Sequence, residues 1–261
     1  MIASNRPLLR LQYGAILALL LGLAGCAWVL LSRQAAGMGM QGMGMQDMGL
    51  TMGMSALLFL SIWVVMMVAM MFPTALPMVL TFATISARKR ERGQPFVPTW
   101  VFVGAYLLVW ALAGLLAYAL AVGADSLAAR VPWLQHNAGR IGGITLILAG
   151  VYQLTPIKRI CLMKCRTPMG FILSAWRDGY GGAFRMGVEH GLYCMGCCWL
   201  LFVILFPLGM MNIVALATVT ALIFAEKVFP FGLLASRIAA VLLLAYGALV
   251  LIVPAALPAA M

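Results

Sequence analysis

Long apolar runs alternate with short polar or charged segments along most of the chain. A transmembrane helix needs about 20 mostly apolar residues to cross the hydrocarbon core of a bilayer. Seven runs reach this length and predict an all-α, polytopic membrane helix bundle. They cover residues 12–31, 55–84, 97–122, 139–156, 184–206, 209–227 and 233–254. The second run is longer than one span requires, so we expect a kink at Pro73 or Pro77.

The composition supports this interpretation. Of the 261 residues, 65% are hydrophobic and 9% are charged, and the mean hydropathy is +1.07. Soluble domains are close to half apolar and a quarter charged, so a water-soluble fold is excluded. The net charge of +11 therefore indicates orientation and contact with anionic membrane lipid, and it does not indicate nucleic-acid binding.

The distribution of Lys and Arg predicts the orientation of the bundle. With a cytoplasmic N-terminus, 14 of the 17 Lys and Arg residues fall on the inner side, and Arg33, Arg130 and Arg140 fall outside. Positive residues accumulate on the cytoplasmic side, so we predict N-in/C-out insertion in the bacterial inner membrane, with many passes. The predicted parts are a first helix in 1–31, an outer Met/Gly-rich loop at 32–54, a bundle at 55–254 and, within it, a cytoplasmic basic loop at 157–183.

A processing alternative arises at Cys26. The residues from Leu23 to Cys26 resemble a bacterial lipobox after a basic start and an apolar run. Cleavage there would give a lipidated N-terminus. Residues 27–31 nevertheless stay apolar and complete a run of membrane length, which favours an intact helix. The Met-rich segment lies outside in either case.

Seven methionines lie between Met38 and Met54, spaced by glycine and glutamine with no helical or strand period. Thioether sulfur is a soft donor that selects Cu(I), and a glycine-rich chain can fold three or four thioethers around one ion. We therefore predict copper capture outside the membrane by the following residues: Met38, Met40, Met43 and Met45. The alternative is a low-complexity linker in which the methionines are incidental.

The second run carries methionines on one broad helical face near the middle of the span. They are Met66, Met67, Met70 and Met71. Val68 and Phe72 point elsewhere at 100° per residue. Methionine is also an ordinary apolar side chain that fills gaps between helices, and this remains the alternative.

The fifth run carries a stripe of potential ligands at i, i+3 and i+4 spacing. The stripe contains Met186, His190, Cys194, Cys197 and Cys198. Three cysteines within five residues, one turn after a histidine, predict a metal-ligand or redox role. Thiolates take Cu(I) or zinc, so copper is the first expectation, and zinc is possible through His190 and the thiols.

Two more cysteines, Cys161 and Cys165, follow the fourth run among several cations. We expect them at the cytoplasmic surface, where nearby positive charge favours thiolate, metal binding and exchange. The alternative is two idle reduced thiols. Glu226 and Lys227 are neighbours on a helix and cannot face each other, so we expect Glu226 to pair with another span, through an arginine of the inner loops.

With these residues in view, the chain resembles a family of bacterial integral membrane proteins described as predicted metal-binding. This family includes a membrane copper chaperone needed for maturation of a bacterial tyrosinase. The matching stretches are Trp63 to Pro77, Tyr152 to Arg166, His190 to Trp199 and Glu226-Lys227, within roughly residues 56–230. The block Cys194-Met195-Gly196-Cys197-Cys198-Trp199 is the most specific. The resemblance implies copper handling and a copper-requiring client protein.

The leading functional hypothesis is a membrane copper-binding and delivery protein that is not an enzyme. The sequence holds no nucleophile–base set and no phosphate-binding loop. Two alternatives stay open. One is a transmembrane thiol–disulfide relay, and the other is an accessory subunit of a membrane complex.

Overall fold

The computed structural model describes residues 6–40, 49–51, 53–94 and 97–257, and these residues form helices joined by turns, with no strand among them. The helices are α1 (Arg6–Met40), α2 (Ala56–Glu91), α3 (Thr99–Arg130), α4 (Pro132–His136), α5 (Ala138–Gln153), α6 (Pro156–Arg166), α7 (Pro168–Ala175), α8 (Gly179–Val203), α9 (Leu205–Leu208), α10 (Ile213–Val228) and α11 (Gly232–Ile252). A 3₁₀ turn, Pro254–Ala256, follows. The predicted all-α class is confirmed.

Within the described residues, five helical stretches are long and apolar enough to cross a membrane. They are Leu11–Gly37, Ala56–Glu91, Thr99–Arg130, Gly179–Leu208 and Gly232–Ile252. A sixth results if α5 and α6 are counted together, although they bend by 64° at their junction. The prediction of seven spans is therefore not confirmed, and the structure supports five or six.

Local backbone signals explain why two of the predicted runs fall short. The run 139–156 breaks because Pro156 begins a new helix after the Leu154–Thr155 turn. The run 209–227 starts later than its apolar residues suggest, because Gly209 has a positive φ of 92° and Asn212 caps the helix. Helix α10 is left with 16 residues, or about 24 Å, which is shorter than a bilayer core.

Helix α2 runs through the centre of the bundle and continues past both of its prolines. Pro73 has no N–H, so the carbonyl of Ala69, one turn earlier, loses its helical partner. The indole Nε1–H of Trp28 donates to that carbonyl at 3.2 Å. Helix α1 thereby supplies the hydrogen-bond donor that the Ala69 carbonyl lacks because of Pro73.

Glycines set the closest helix contacts. A Cβ on Gly247 of α11 would stand 2.8 Å from the carbonyl oxygen of Gly143 on α5. A Cβ on Gly187 of α8 would stand 2.4 Å from the carbonyl oxygen of Phe102 on α3. Small residues let helices approach at backbone distance within a membrane. The second contact brings the middle of α8 against α3, where the candidate site lies.

The segment that ends the Met-rich sequence is attached to α3. The Asp125 carboxylate accepts hydrogen bonds from the backbone N–H of Leu50 at 2.7 Å and from the N–H and hydroxyl of Thr51. Helix α1 itself continues to Met40, nine residues beyond the predicted end at residue 31. The side chains of Met38 and Met40, and all of Met43 and Met45, lie outside the described residues.

Candidate metal centre

The thiol of Cys194, halfway along α8, is the centre of a buried sulfur-rich cluster. Its Sγ lies 3.1 Å from the hydroxyl of Tyr106, 3.0 Å from the Nζ of Lys227 and 3.9 Å from the Sδ of Met71. The exposed fractions are 1% for Cys194, 2% for Tyr106, 0% for Met71 and 8% for Lys227. These four residues come from α8, α3, α2 and α10, so the cluster is a meeting point of four helices.

The methionine face of α2 points into this interior. Met66, Met67, Met70 and Met71 are each at most 1% exposed. Met71 makes the contact with Cys194, and its Sδ also lies 3.9 Å from the Thr74 hydroxyl. The face predicted from helical spacing is thus buried, and its last member reaches the cysteine cluster.

Cys197 and Cys198 are buried in the same stripe, but their thiols turn back toward their own helix. Both donate to the carbonyl oxygen of Cys194, at 3.0 and 2.9 Å. This i→i−3 and i→i−4 bonding is a common rest position for a small polar side chain within a helix. Either thiol must lose this proton and its hydrogen bond before it binds a metal as a thiolate.

The two cysteines of α6 join the cluster. The Cys165 thiol lies beside the thiols of Cys194 and Cys197. The Cys161 sulfur packs so closely on Gly196 that a Cβ there would come within 2.8 Å of it. The position of this pair at the cytoplasmic surface stays a prediction, and the bend before α6 turns this helix against α8.

His190 occupies an aromatic pocket next to the sulfur cluster. Its ring stacks on Phe102 and Tyr106, with centroids 5.9 and 5.4 Å away, and lies 5.8 Å from Phe171. It is 3% exposed, and its Nδ1 has no hydrogen-bond partner in the described part of the chain. Tyr106 links the two groups, since its ring stacks on His190 while its hydroxyl contacts Cys194.

A buried ion pair flanks the cluster. Glu226 accepts hydrogen bonds from the Lys158 Nζ at 2.8 and 3.0 Å, with both side chains at most 2% exposed. Arg166 donates to the carbonyl oxygens of Glu226 and Pro230. Glu226 therefore pairs with another helix, as expected. Its carboxylate partner is a lysine, and the expected arginine binds its backbone instead.

Lys227 and Tyr106 are the site residues that sequence reasoning missed. Lys227 was visible as a lysine in an apolar run, which is rare and usually faces the protein interior. Because it cannot face Glu226, its neighbour in sequence, it had to have a different partner. Tyr106 carried no such signal, because a tyrosine in an apolar helix is common.

The donors present fit a soft monovalent metal better than a hard one. Thiol and thioether sulfurs from α2, α6 and α8 converge, and such ligands select Cu(I). No three His, Cys, Asp or Glu side chains of the described ranges stand in a ready-made coordinating arrangement. The thiols of Cys197 and Cys198 are engaged with the carbonyl oxygen of Cys194, and the ammonium group of Lys227 lies at the Cys194 sulfur, which accounts for this physically.

Residues 60–250 match the protein family described as PpoB2: Copper chaperone. The matched range contains all of the cluster, from Met71 on α2 to Lys227 on α10. No curated protein and no solved structure is detectably similar to the chain.

Proposed function

The chain belongs to the PpoB2 copper chaperone family, and from this premise we propose that it holds Cu(I) inside the membrane bundle on sulfur ligands centred on Cys194 and Met71. We propose further that it passes the ion to a copper-requiring client protein at the bacterial inner membrane. Copper is the cargo in this proposal, and the protein carries out no chemical conversion.

The observation that carries the proposal is the 3.9 Å distance between Cys194 Sγ and Met71 Sδ. A d¹⁰ ion such as zinc binds thiolate at about 2.3 Å, so two sulfurs on one ion of similar size stand at most about 4.6 Å apart. The two sulfurs therefore already lie within the span of a single ion. The thiols of Cys165, Cys197 and Cys198 lie beside that of Cys194 and are the additional candidate ligands.

Ligand exchange provides a route for the ion without an energy source. The Met-rich segment, including Met38, Met40, Met43 and Met45, would collect Cu(I) outside, and its end is held on α3 by Asp125. The face formed by Met66, Met67 and Met70 on α2 leads from there toward Cys194. Cys161 and Cys165 would take the ion at the other side of the cluster.

His190 is a weaker candidate as a ligand in this proposal. Its ring is held between aromatic side chains, and the side-chain contacts of the Cys194 thiol go to Met71, Lys227 and Tyr106. A zinc site would need this imidazole or a third and fourth thiolate. The proposal therefore favours copper over zinc.

Metal content tests the proposal directly. Protein purified anaerobically in detergent after growth with copper and zinc is expected to hold about one copper per chain on sulfur ligands. The Cys194→Ser/Cys197→Ser/Cys198→Ser variant is expected to lose it, and Met71→Leu is expected to hold it more weakly. The exposed Cys26→Ser variant is the matched control and should retain the wild-type copper content.

X-ray absorption at the copper edge identifies the ligands in the same samples. Sulfur scatterers that disappear in the triple variant would support the proposal. Copper absent from all samples, or equal in the wild type and the triple variant, would overturn it. The second of these results would favour an accessory role in which the cysteines are incidental.

One observation keeps the thiol–disulfide relay as a second candidate. Cys165 on α6 lies beside Cys194 and Cys197 on α8. A disulfide between the two helices would therefore need less backbone distortion than one within α8. In this function the two thiols would reduce a disulfide of a partner protein by exchange and become a disulfide themselves. Mass spectrometry that finds a Cys165 disulfide in the isolated protein, together with no bound copper, would favour this candidate.

A further inference from the structure

We infer that the ammonium group of Lys227 is an internal counter-cation that competes with Cu(I) for Cys194 and Met71, an assignment that rests on the proposed function. It makes Lys227 the residue that limits how tightly the site holds copper. Lys227 is thereby a positioning and affinity-setting residue and not a ligand.

The geometry places the ammonium group beside both sulfurs. Lys227 Nζ lies 3.0 Å from Cys194 Sγ and 3.8 Å from Met71 Sδ, and the two sulfurs are 3.9 Å apart. The three atoms form a compact triangle in which a positive group bridges two electron-rich ones. An ion bound by both sulfurs on the side that Nζ occupies would stand within contact distance of Nζ.

The use of sulfur as a partner distinguishes Lys227 from an ordinary buried lysine. A buried ammonium group is usually stabilised by a carboxylate. The nearest one in sequence, Glu226, faces the other way and is held by Lys158 at 2.8 and 3.0 Å. Lys227 directs its hydrogen bonds to Met71 and Cys194 instead.

Charge balance makes binding of Cu(I) and of the Lys227 ammonium group at these sulfurs mutually exclusive. Two positive charges a few ångströms apart in a poorly solvated interior repel strongly. Cu(I) and the ammonium group carry the same charge, so the exchange of one for the other leaves the net charge of the cluster unchanged. An arriving ion therefore binds as the lysine leaves, and the returning lysine promotes release of the ion.

The position of Lys227 permits this movement. It lies in the last turn of α10, which ends at Val228. The side chain has four flexible carbons, so Nζ can swing away from the sulfurs toward the C-terminal end of α10, where the helix dipole favours a cation. Helix α10 does not have to move for the sulfurs to become free.

Cu(I) affinity measured by competition with a chromogenic Cu(I) chelator tests this inference. Lys227→Leu removes the competing charge and is expected to tighten binding by about tenfold or more and to slow release to the chelator. Lys227→Arg keeps a cation and should stay close to wild type. The exposed Lys164→Leu on α6 is the matched control and should leave the affinity unchanged.

The direction in which the Cu(I) affinity of Lys227→Leu changes distinguishes competition with the metal from a purely structural role of Lys227. Loss of packing, or loss of a group that helps form thiolate, would weaken copper binding in Lys227→Leu. Equal or weaker binding by a monodisperse Lys227→Leu protein would therefore overturn the inference. Lys227→Gln, which is neutral and polar, replaces it if the leucine variant does not fold.

A second measurement uses the unaltered protein. Lys227 is expected to react with a membrane-permeant amine-acylating reagent more readily after Cu(I) loading than before, as mapped by mass spectrometry. Lys158, which stays paired with Glu226, should remain protected, and Lys164 should react in both states. Equal acylation of Lys227 in both states would overturn the inference.

Failure of the inference and failure of the proposed function give different results. Copper on the Cys194 sulfurs with no effect of Lys227→Leu would overturn the inference alone. No copper in the wild type and none in Lys227→Leu would overturn both. Copper bound by Lys227→Leu and absent from the wild type would support the inference in its strongest form.

Discussion

Single residues hold α6 against the end of α10. The buried pair Lys158–Glu226 joins the two helices, with side chains 2% and 1% exposed. Arg166 adds hydrogen bonds to the carbonyl oxygen of Glu226, in the last turn of α10, and to that of Pro230, in the turn that follows. Because α6 carries Cys165 and α10 carries Lys227, these contacts also keep both residues beside Cys194.

Removal of one partner of this pair should destabilise the protein more than removal of both. Glu226→Gln leaves the Lys158 ammonium buried without its counter-charge, which is expected to cost about 3–5 kcal/mol. The Lys158→Met/Glu226→Gln variant leaves no buried charge at this place and should recover most of that loss. Thermal unfolding in detergent, followed by tryptophan fluorescence, measures the difference.

Lys89→Met is the control for the loss of a lysine that is not deeply buried, in comparison with the variants of the Lys158–Glu226 pair. Lys89 is partly exposed and its ion-pair partner Asp178 is 57% exposed, so water screens the pair and loss of Lys89 should change the melting temperature less than loss of Lys158. A double variant that is destabilised by the sum of the two single effects would show that Lys158 and Glu226 are not energetically coupled.

At the scale of helices, two short elements end beside the site. Helices α5 and α10 have 16 residues each. Near the end of α5, Tyr152 donates to the carbonyl oxygen of Gly196, and in the last turn of α10, Lys227 contacts Cys194. Discontinuous helices commonly bring polar and charged groups to binding sites inside membrane proteins. This bundle follows that design around the middle of α8.

The pairing of α5 with α11 depends on contact between glycine backbones. A Cβ on Gly247 would stand 2.8 Å from the Gly143 carbonyl oxygen and 3.0 Å from the Ile147 nitrogen, and neither backbone atom can move alone. Gly247→Ala is therefore expected to destabilise the protein by roughly 1–3 kcal/mol, as overpacking of an interior usually does. Thermal unfolding in detergent again measures the effect.

Gly104→Ala is the matched comparison. Gly104 is also within a helix, but a Cβ there meets nothing within 4 Å. The substitution should be neutral or slightly stabilising, since alanine favours helix more than glycine does. If both alanine variants melt at the wild-type temperature, α5 and α11 can separate without cost and the backbone contact is not important for stability.

At the scale of the whole molecule, the two ends of the bundle differ in their contacts and charges. One end has the Asp125 contacts with Leu50 and Thr51. The other has the Lys89–Asp178 pair, beside the basic end of α2. The positive-inside rule assigns the second end to the cytoplasm. This orientation remains a prediction.

Labelling of introduced cysteines in spheroplasts, with the Cys26→Ser protein as the background control, tests the orientation. In a Cys26→Ser background, Gln94→Cys and His136→Cys add thiols at exposed positions on opposite sides of the third span. N-in insertion predicts that a membrane-impermeant maleimide labels His136→Cys in spheroplasts and labels Gln94→Cys only after the membrane is broken. The reverse pattern would mean that the Met-rich segment faces the cytoplasm.

The helical membrane architecture and the inward positions of the sulfur residues on α2 and α8 follow from the sequence by itself. Both depend on local properties, namely runs of about 20 apolar residues and i, i+3, i+4 spacing on one helix. Five predicted runs correspond to helices of spanning length, and the methionine face of α2 and the cysteine stripe of α8 are buried. The match over residues 60–250 likewise agrees with the copper-handling family inferred from the motifs.

Only the tertiary structure decided what the sulfur residues contact. Lys227 lies 33 positions from Cys194 and 156 positions from Met71, so no local period relates the three. These contacts depend on which helices pack together and on how the helices are aligned along the membrane normal. The glycine contacts and the break between α5 and α6 contribute to both. Hydrophobic runs specify that helices enter the membrane, but lipid does not select among apolar partners, so close packing and buried polar contacts determine the arrangement.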